Sequence, residues 1–170
     1  MKRLFDLMLC LLILAPAAVF VAVMAVWIRL DSTGPALFRQ SRVGRNGVPF
    51  TCLKLRTMYA GTPTAPTHQA PANSVTRIGG FLRASKLDEL PQLWNIIRGE
   101  MSFVGPRPCL TTQTELIDAR KRLGVIALLP GISGVAQVKG IDMSNPQRLA
   151  ETDAVYLENM SVLEDIKILA

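Results

Sequence analysis

The chain has 170 residues, with 19 Lys and Arg against 13 Asp and Glu, one His and a net charge of +6 at pH 7. That length suits one small domain, and its 49% hydrophobic content is inflated by a single N-terminal run. Three cysteines, odd in number, far apart and without a Cys-x-x-Cys pair, exclude a disulfide framework and a zinc site and point to a reducing compartment. The positive charge suits an anionic membrane surface, nucleic acid or phosphorylated substrates, and the apolar run favours the first and third.

Residues 7–28 contain no charge, and about 22 helical residues reach about 33 Å, enough for a hydrocarbon core of about 30 Å. A single-pass helix is one reading. Against it, Pro16 cannot donate to the carbonyl of Leu12, so a kink is expected at 12–16. Lys2 and Arg3 before the run and Arg29 after it leave neither end poor in positive charge, as a re-entrant hairpin requires. On these residues alone, span and hairpin stand even. A cleaved signal peptide is disfavoured by Asp6, by Pro16 and by the length of the run past Ala17.

Next comes Val43-Gly44-Arg45-Asn46-Gly47-Val48-Pro49-Phe50, with Asn-Gly between two extended runs, which predicts a β-hairpin. A strand over 50–58 would set Lys54 and Arg56 on one face, with Leu53 and Leu55 opposite. Such a pair is also what any solvated strand face carries. Residues 60–74, rich in Pro, Thr and Ala, read as a loop of the kind that can close over a substrate; His68 in it reads as solvated and is assigned no role.

Leu90, Leu93, Trp94 and Ile97 recur at helical spacing over 89–98, and Gly99 ends the pattern. A second helix is predicted over 112–128, before Pro130-Gly131. Asn145-Pro146 opens a last one that turns Leu149, Val155 or Tyr156, and Met160 inward.

Pro91 must lie near the start of its helix, which makes Asp88 the expected N-cap, or else the partner of Ser85 in a Ser-x-x-Asp capping box. A helix start also favours an ionised carboxylate and a phosphate. Asp88 and Glu89 point about 100° apart, so the two should have separate tasks. Asp88 as a nucleophile on phosphorus and Glu89 as a ligand for Mg²⁺ is a division that fits. Asp-Glu pairs are common on surfaces, so context must carry this reading. Arg107 between Pro106 and Pro108 is either a rigid turn or a guanidinium held ready for bidentate phosphate binding.

Lys-Arg-Leu-Phe-Asp from Lys2, Asp31-Ser32-x-Gly34-Pro35, Arg42-Val43-Gly44, Lys54-x-Arg56-Thr57-Met58, Leu87-Asp88-Glu89-Leu90-Pro91-Gln92-Leu93-Trp94-Asn95, Gly105-Pro106-Arg107-Pro108 and Pro130-Gly131-Ile132-Ser133-Gly134 occur in this order. Together they resemble the bacterial sugar transferase family, the monotopic phosphoglycosyl transferases, over nearly the whole chain. The resemblance implies ping-pong transfer of a sugar 1-phosphate from a UDP-sugar to undecaprenyl phosphate or another polyprenol phosphate, with release of UMP, as the first membrane step of surface glycan synthesis. Asp88 then matches the nucleophile that forms an aspartyl phosphosugar, and Glu89 the Mg²⁺ ligand. Lys54, Arg56, Arg83 and Arg107 match basic motif positions, and Gln137 lies in a further matching block. Pro16 matches the break of a re-entrant membrane helix.

Two departures stand out: Ala15-Pro16 replaces the family's usual Ser-Pro, and Val135, Lys139 and Ile141 diverge in the block after Pro130. The expected architecture is α+β, mostly helical with a β-hairpin. A membrane-inserted helix at 1–30 would carry a catalytic domain at 31–170 on the cytoplasmic face of the bacterial inner membrane, with amphipathic helices among the phospholipid headgroups. No nucleic-acid motif is present, and a homo-oligomer is left open. The competing readings are a membrane-anchored anion-binding module without turnover and a Mg²⁺-dependent diphosphate hydrolase.

Overall fold

The computed structural model describes residues 1–62 and 74–170, so His68 and most of the predicted 60–74 loop fall outside the described residues. A single α-helix, α1, runs Lys2–Asp31 with Pro16 inside it. The helical backbone continues on both sides of the proline, so the expected break opens no loop. Asp6, Cys10, Ala17, Met24 and Ile28 are its buried residues, and their steps of four and seven place them on one face. Leu4, Met8, Leu11, Leu12, Val19, Val23, Trp27 and Leu30 lie on the exposed side. By length and composition the helix could cross a membrane.

Both ends of α1 are fastened to the same globule. Lys2 Nζ pairs with Asp165 at 2.5 Å, and Arg3 donates to the carbonyls of Ile96 and Ile97, the latter at 2.9 Å. Asp6 accepts from the Ser102 hydroxyl at 3.0 Å and the Phe103 amide at 3.2 Å. At the other end, Arg56 donates to the carbonyls of Ile28, Ser32 and Thr33, satisfying groups that a helix C-terminus leaves without partners.

Strands β1 (Leu37–Val43) and β2 (Pro49–Leu55) pair antiparallel, Leu37 facing Leu55 and Val43 facing Pro49. The predicted Asn-Gly turn is present, with φ of 57° at Asn46 and 78° at Gly47. β2 stops before 58, because the chain turns to Val75 and Thr76: the Thr57 carbonyl accepts from the Thr76 amide at 3.1 Å. Asn95 covers the outer edge of β2, accepting from the Leu53 amide at 3.1 Å and donating to the Thr51 carbonyl at 2.8 Å.

The remaining helices are α2 (Arg77–Ser85), α3 (Gln92–Ile97), α4 (Thr114–Arg122), α5 (Val135–Val138), α6 (Pro146–Asn159) and α7 (Val162–Leu169). The fold class is thus the expected one, mostly helical with a hairpin. A second small sheet, unforeseen in the sequence, pairs β3 (Ser102–Val104) with β4 (Gly131–Ser133) in parallel. There the backbones approach so closely that a Cβ on Gly131 would lie 2.1 Å from the Gly105 nitrogen.

Several expectations need correction. Asp88 is not an N-cap: it lies within a 3₁₀ turn, Leu87–Glu89, and the longer helix follows only at Gln92. The Ser85 hydroxyl donates back to the carbonyls of Phe81 and Leu82 rather than forming a capping box. The predicted 112–128 helix ends at Arg122, because Gly124 turns left-handed (φ 71°) before a 3₁₀ turn at Val125–Ala127. In α6, Asn145 caps as expected, and Leu149 and Tyr156 are buried, but Val155 and Met160 face outward.

One core cluster joins α1 through Cys10 and Ala17 to Leu93, Ile96, Phe103 and Tyr156. A second packs Met24 and Ile28 of α1 on Leu55, Ile78 and Leu82. A third joins Val43 to Leu116, Ala119, Leu149 and Ala150.

Candidate active site

Four segments converge on one cleft of about 370 Å³. The end of β2 supplies Lys54, α2 supplies Arg83, the 3₁₀ turn supplies Asp88 and Glu89, and the loop after β3 supplies Arg107. One oxygen of Glu89 accepts from both Lys54 Nζ at 2.6 Å and Arg107 Nη2 at 2.9 Å. Burial acts to raise the Glu89 pKa, but Arg107 and Lys54, by charge and hydrogen bond, outweigh it and hold the carboxyl below the ordinary glutamate value.

Asp88 is 7% exposed and, among the described residues, forms no ion pair. Burial raises its pKa; Lys54 opposes this and the Glu89 charge adds to it, leaving Asp88 above the ordinary aspartate value. A desolvated carboxylate without a tight cation on it is a better nucleophile than one in an ion pair.

The loop that carries Arg107 is held carbonyl by carbonyl. Pro106 accepts from the Gly131 amide at 2.9 Å, Arg107 from Arg120 at 2.9 Å, Pro108 from Arg42 at 3.0 Å and Cys109 from the Val43 amide at 2.9 Å. Arg120 is itself buried and paired with Asp153 at 2.7 Å. Arg120 escaped notice in the sequence because Arg120-Lys121-Arg122 looks like a solvated helix face. Arg42 and Lys86 also line the cleft. Arg42 stood within a quoted motif without a role, and nothing in the spacing marked Lys86.

Arg83 donates to the Thr57 hydroxyl at 2.8 Å and lines the cleft, as does Arg56. The guanidinium of Arg56, however, is turned to the end of α1. Gln137 is not brought to the cleft: its amide donates to the Ile132 carbonyl at 3.3 Å, and its oxygen is buried without a partner. Pro16 lies on α1, away from the cleft lining.

Among the described residues no group of three or more His, Cys, Asp or Glu forms a ready-made metal cage. Two adjacent carboxylates on the cleft wall suit Mg²⁺, which takes one or two protein oxygens and completes its shell with phosphate and water. They do not suit a soft metal that needs thiolate or imidazole.

The sequence profile described as bacterial sugar transferase matches residues 1–170. The chain belongs to the bacterial sugar transferase family. Within this family it is 41% identical over 98% of its length to the UDP-glucose:undecaprenyl-phosphate glucose-1-phosphate transferase of Caulobacter vibrioides, and covers 66% of that protein. It is 35% identical over 99% of its length to the uncharacterized sugar transferase EpsL of Bacillus subtilis, covering 83% of it. With the UDP-glucose:undecaprenyl-phosphate glucose-1-phosphate transferase of Escherichia coli K12 the identity is 36% over 99% of this chain, which covers only 38% of that sugar transferase.

Proposed function

We propose that this sugar transferase moves a sugar 1-phosphate from a UDP-sugar to undecaprenyl phosphate through a covalent intermediate on Asp88. The observation that carries the reading is the charge of the cleft: Arg42, Lys54, Arg56, Arg83, Lys86 and Arg107 line it against only Asp88 and Glu89. Such a surplus suits the meeting of a diphosphate with a second phosphate.

In the first half-reaction an Asp88 carboxylate oxygen attacks the β-phosphorus, and the bond to the UMP phosphate oxygen breaks. In the second, an oxygen of the lipid phosphate attacks the same phosphorus and displaces Asp88, giving the lipid diphosphate sugar. Charge balances without a proton transfer. Glu89 would hold Mg²⁺, which when bound supplies charge neutralisation at the phosphoryl oxygens. Lys54 and Arg107, now sharing one Glu89 oxygen, are placed to take phosphate oxygens instead.

The placement of α1 supports a monotopic, re-entrant topology, and a soluble UDP-sugar donor favours the cytoplasmic face. A straight 30-residue helix is about 45 Å long, longer than the roughly 37 Å diameter of a 140-residue globule. Its two ends are nevertheless tied to one body, at Asp165 and at Arg56. A helix spanning the bilayer would carry one end away from a globule confined to one side. The outward Leu, Val and Trp side chains supply the lipid-facing surface.

The test is incubation of purified protein in nanodiscs with Mg²⁺ and a panel of UDP-sugars, with and without undecaprenyl phosphate, reading UMP release and intact protein mass. One equivalent of UMP with a phosphosugar adduct is expected without lipid and multiple turnovers only with it, and Asp88→Asn should lose the adduct and more than about 10³-fold in kcat. Normal turnover by Asp88→Asn would remove the nucleophile assignment, and UMP release without lipid that continues over many turnovers, beyond the one equivalent of adduct formation, would identify a hydrolase.

A further inference from the structure

Six cations line the cleft, and five of them already have partners within the protein. Lys54 and Arg107 share Glu89, Arg83 bonds Thr57, Arg56 caps α1, and Arg42 bonds Gln40 and Pro108. Lys86, also in the cleft wall, is exposed, and among the described residues its ammonium has neither an ion pair nor a hydrogen bond.

Its backbone makes this unusual. Lys86 has φ 60° and ψ 10°, the left-handed conformation that glycine adopts freely and L side chains resist. Asn46 is the only other described non-glycine residue with positive φ, and asparagine at a hairpin tip tolerates it. The conformation at Lys86 is imposed from both sides: its amide donates to the Arg83 carbonyl at 3.3 Å, and its carbonyl accepts from the Glu89 amide at 3.2 Å. A glycine would fill this corner between α2 and the Asp88 turn with less strain. The chain instead places a free cation there, two residues before Asp88.

We infer that Lys86 is a substrate-binding residue whose ammonium takes a phosphate oxygen, from either the donor diphosphate or the lipid phosphate. The inference rests on the transferase reading above and goes beyond it by assigning a further phosphate contact. A purely structural role for a lysine at this place would act through the C-terminal dipole of α2. The two roles have opposite signatures. Loss of a dipole partner lowers stability and leaves KM alone, whereas loss of a phosphate contact raises KM while glycine relieves the backbone.

The experiment compares wild type, Lys86→Gly and Lys86→Arg in nanodiscs. Adduct formation on Asp88 without lipid, using UDP-glucose or UDP-galactose, reads the donor step; its discharge by undecaprenyl phosphate reads the acceptor step; thermal melting reads the fold. We expect Lys86→Gly to keep or raise the melting temperature and to raise KM on the order of tenfold in one step, with Lys86→Arg restoring most of it. A rise in the donor step assigns the diphosphate, and a rise in the discharge step assigns the lipid phosphate. KM values within twofold of wild type in both steps overturn the assignment while leaving the transferase reading intact. A folded wild type that forms no adduct and releases no UMP with any donor overturns both.

Discussion

At Asp88, burial and the adjacent Glu89 charge disfavour the ionised form, while Glu89 itself is held ionised by Arg107 and Lys54. In the proposed mechanism transfer requires the Asp88 carboxylate, so kcat/KM for the donor should fall on the acid side at a pH above the ordinary aspartate value of 3.8. A pH profile flat down to that value would contradict the assignment. Stability follows a different sign at each residue. Glu89, with its folded pKa depressed, favours the fold above its unfolded value, and that contribution is lost as pH falls through the folded pKa. Asp88, with its folded pKa raised, opposes the fold once ionised. The Asp88→Asn variant, inactive, should therefore melt at or above the wild-type temperature near neutral pH, as calorimetry would show. The Asp88-Glu89 pair and Arg107 were legible in the sequence because their chemistry is carried by residue type and by flanking prolines. That Lys54 and Arg107 meet on one oxygen was not, since no local spacing relates positions 35 and 18 residues away.

Between elements, the Arg107 loop is tied to α4 and α6 through Arg120 and Asp153. Burial raises the Asp153 carboxyl even with Arg120 beside it, so the pair is held in a costly environment. Asp153→Asn leaves Arg120 buried and uncompensated. It should destabilise the protein by about 3 kcal/mol, measured by denaturant unfolding, and raise the donor KM by loosening the Arg107 carbonyl. Turns and caps with a strong chemical signature were legible at this scale: the Asn46-Gly47 turn and the Asn145 cap formed as expected. The β3–β4 pair was hidden because strands of three residues show no alternation. The Asp88 cap failed because a Ser-x-x-Asp spacing also fits a 3₁₀ turn, which Lys86 enters from the left-handed region.

For the whole molecule, the proposed membrane geometry rests on where α1 is tied. In the sequence, length, apolarity and the apparent flanking charges Lys2 and Arg3 leave span and hairpin even, and only the family resemblance favours the hairpin. In the fold Lys2 and Arg3 are internal fasteners, bonded to Asp165 and to the end of α3. If both ends lie on one side, a cysteine appended before Met1 and Ser32→Cys should react with an impermeant maleimide from the same face of sealed vesicles. The native cysteines are buried and should stay silent. Labelling from opposite faces would mean a spanning helix.

Arg56 lies in the cleft wall and also grips the last turn of α1. One guanidinium thereby couples the register of the apolar helix to the wall of the cleft. Inserting a single residue into α1 would advance it by about 1.5 Å and swing its outer face by about 100°, turning lipid-facing leucines against the globule. Because both ends are fastened to one globule, at Asp165 and at Arg56, even a seven-residue insertion that restored the facing would add about 10 Å and release one end, so the length of α1 is as constrained as its facing.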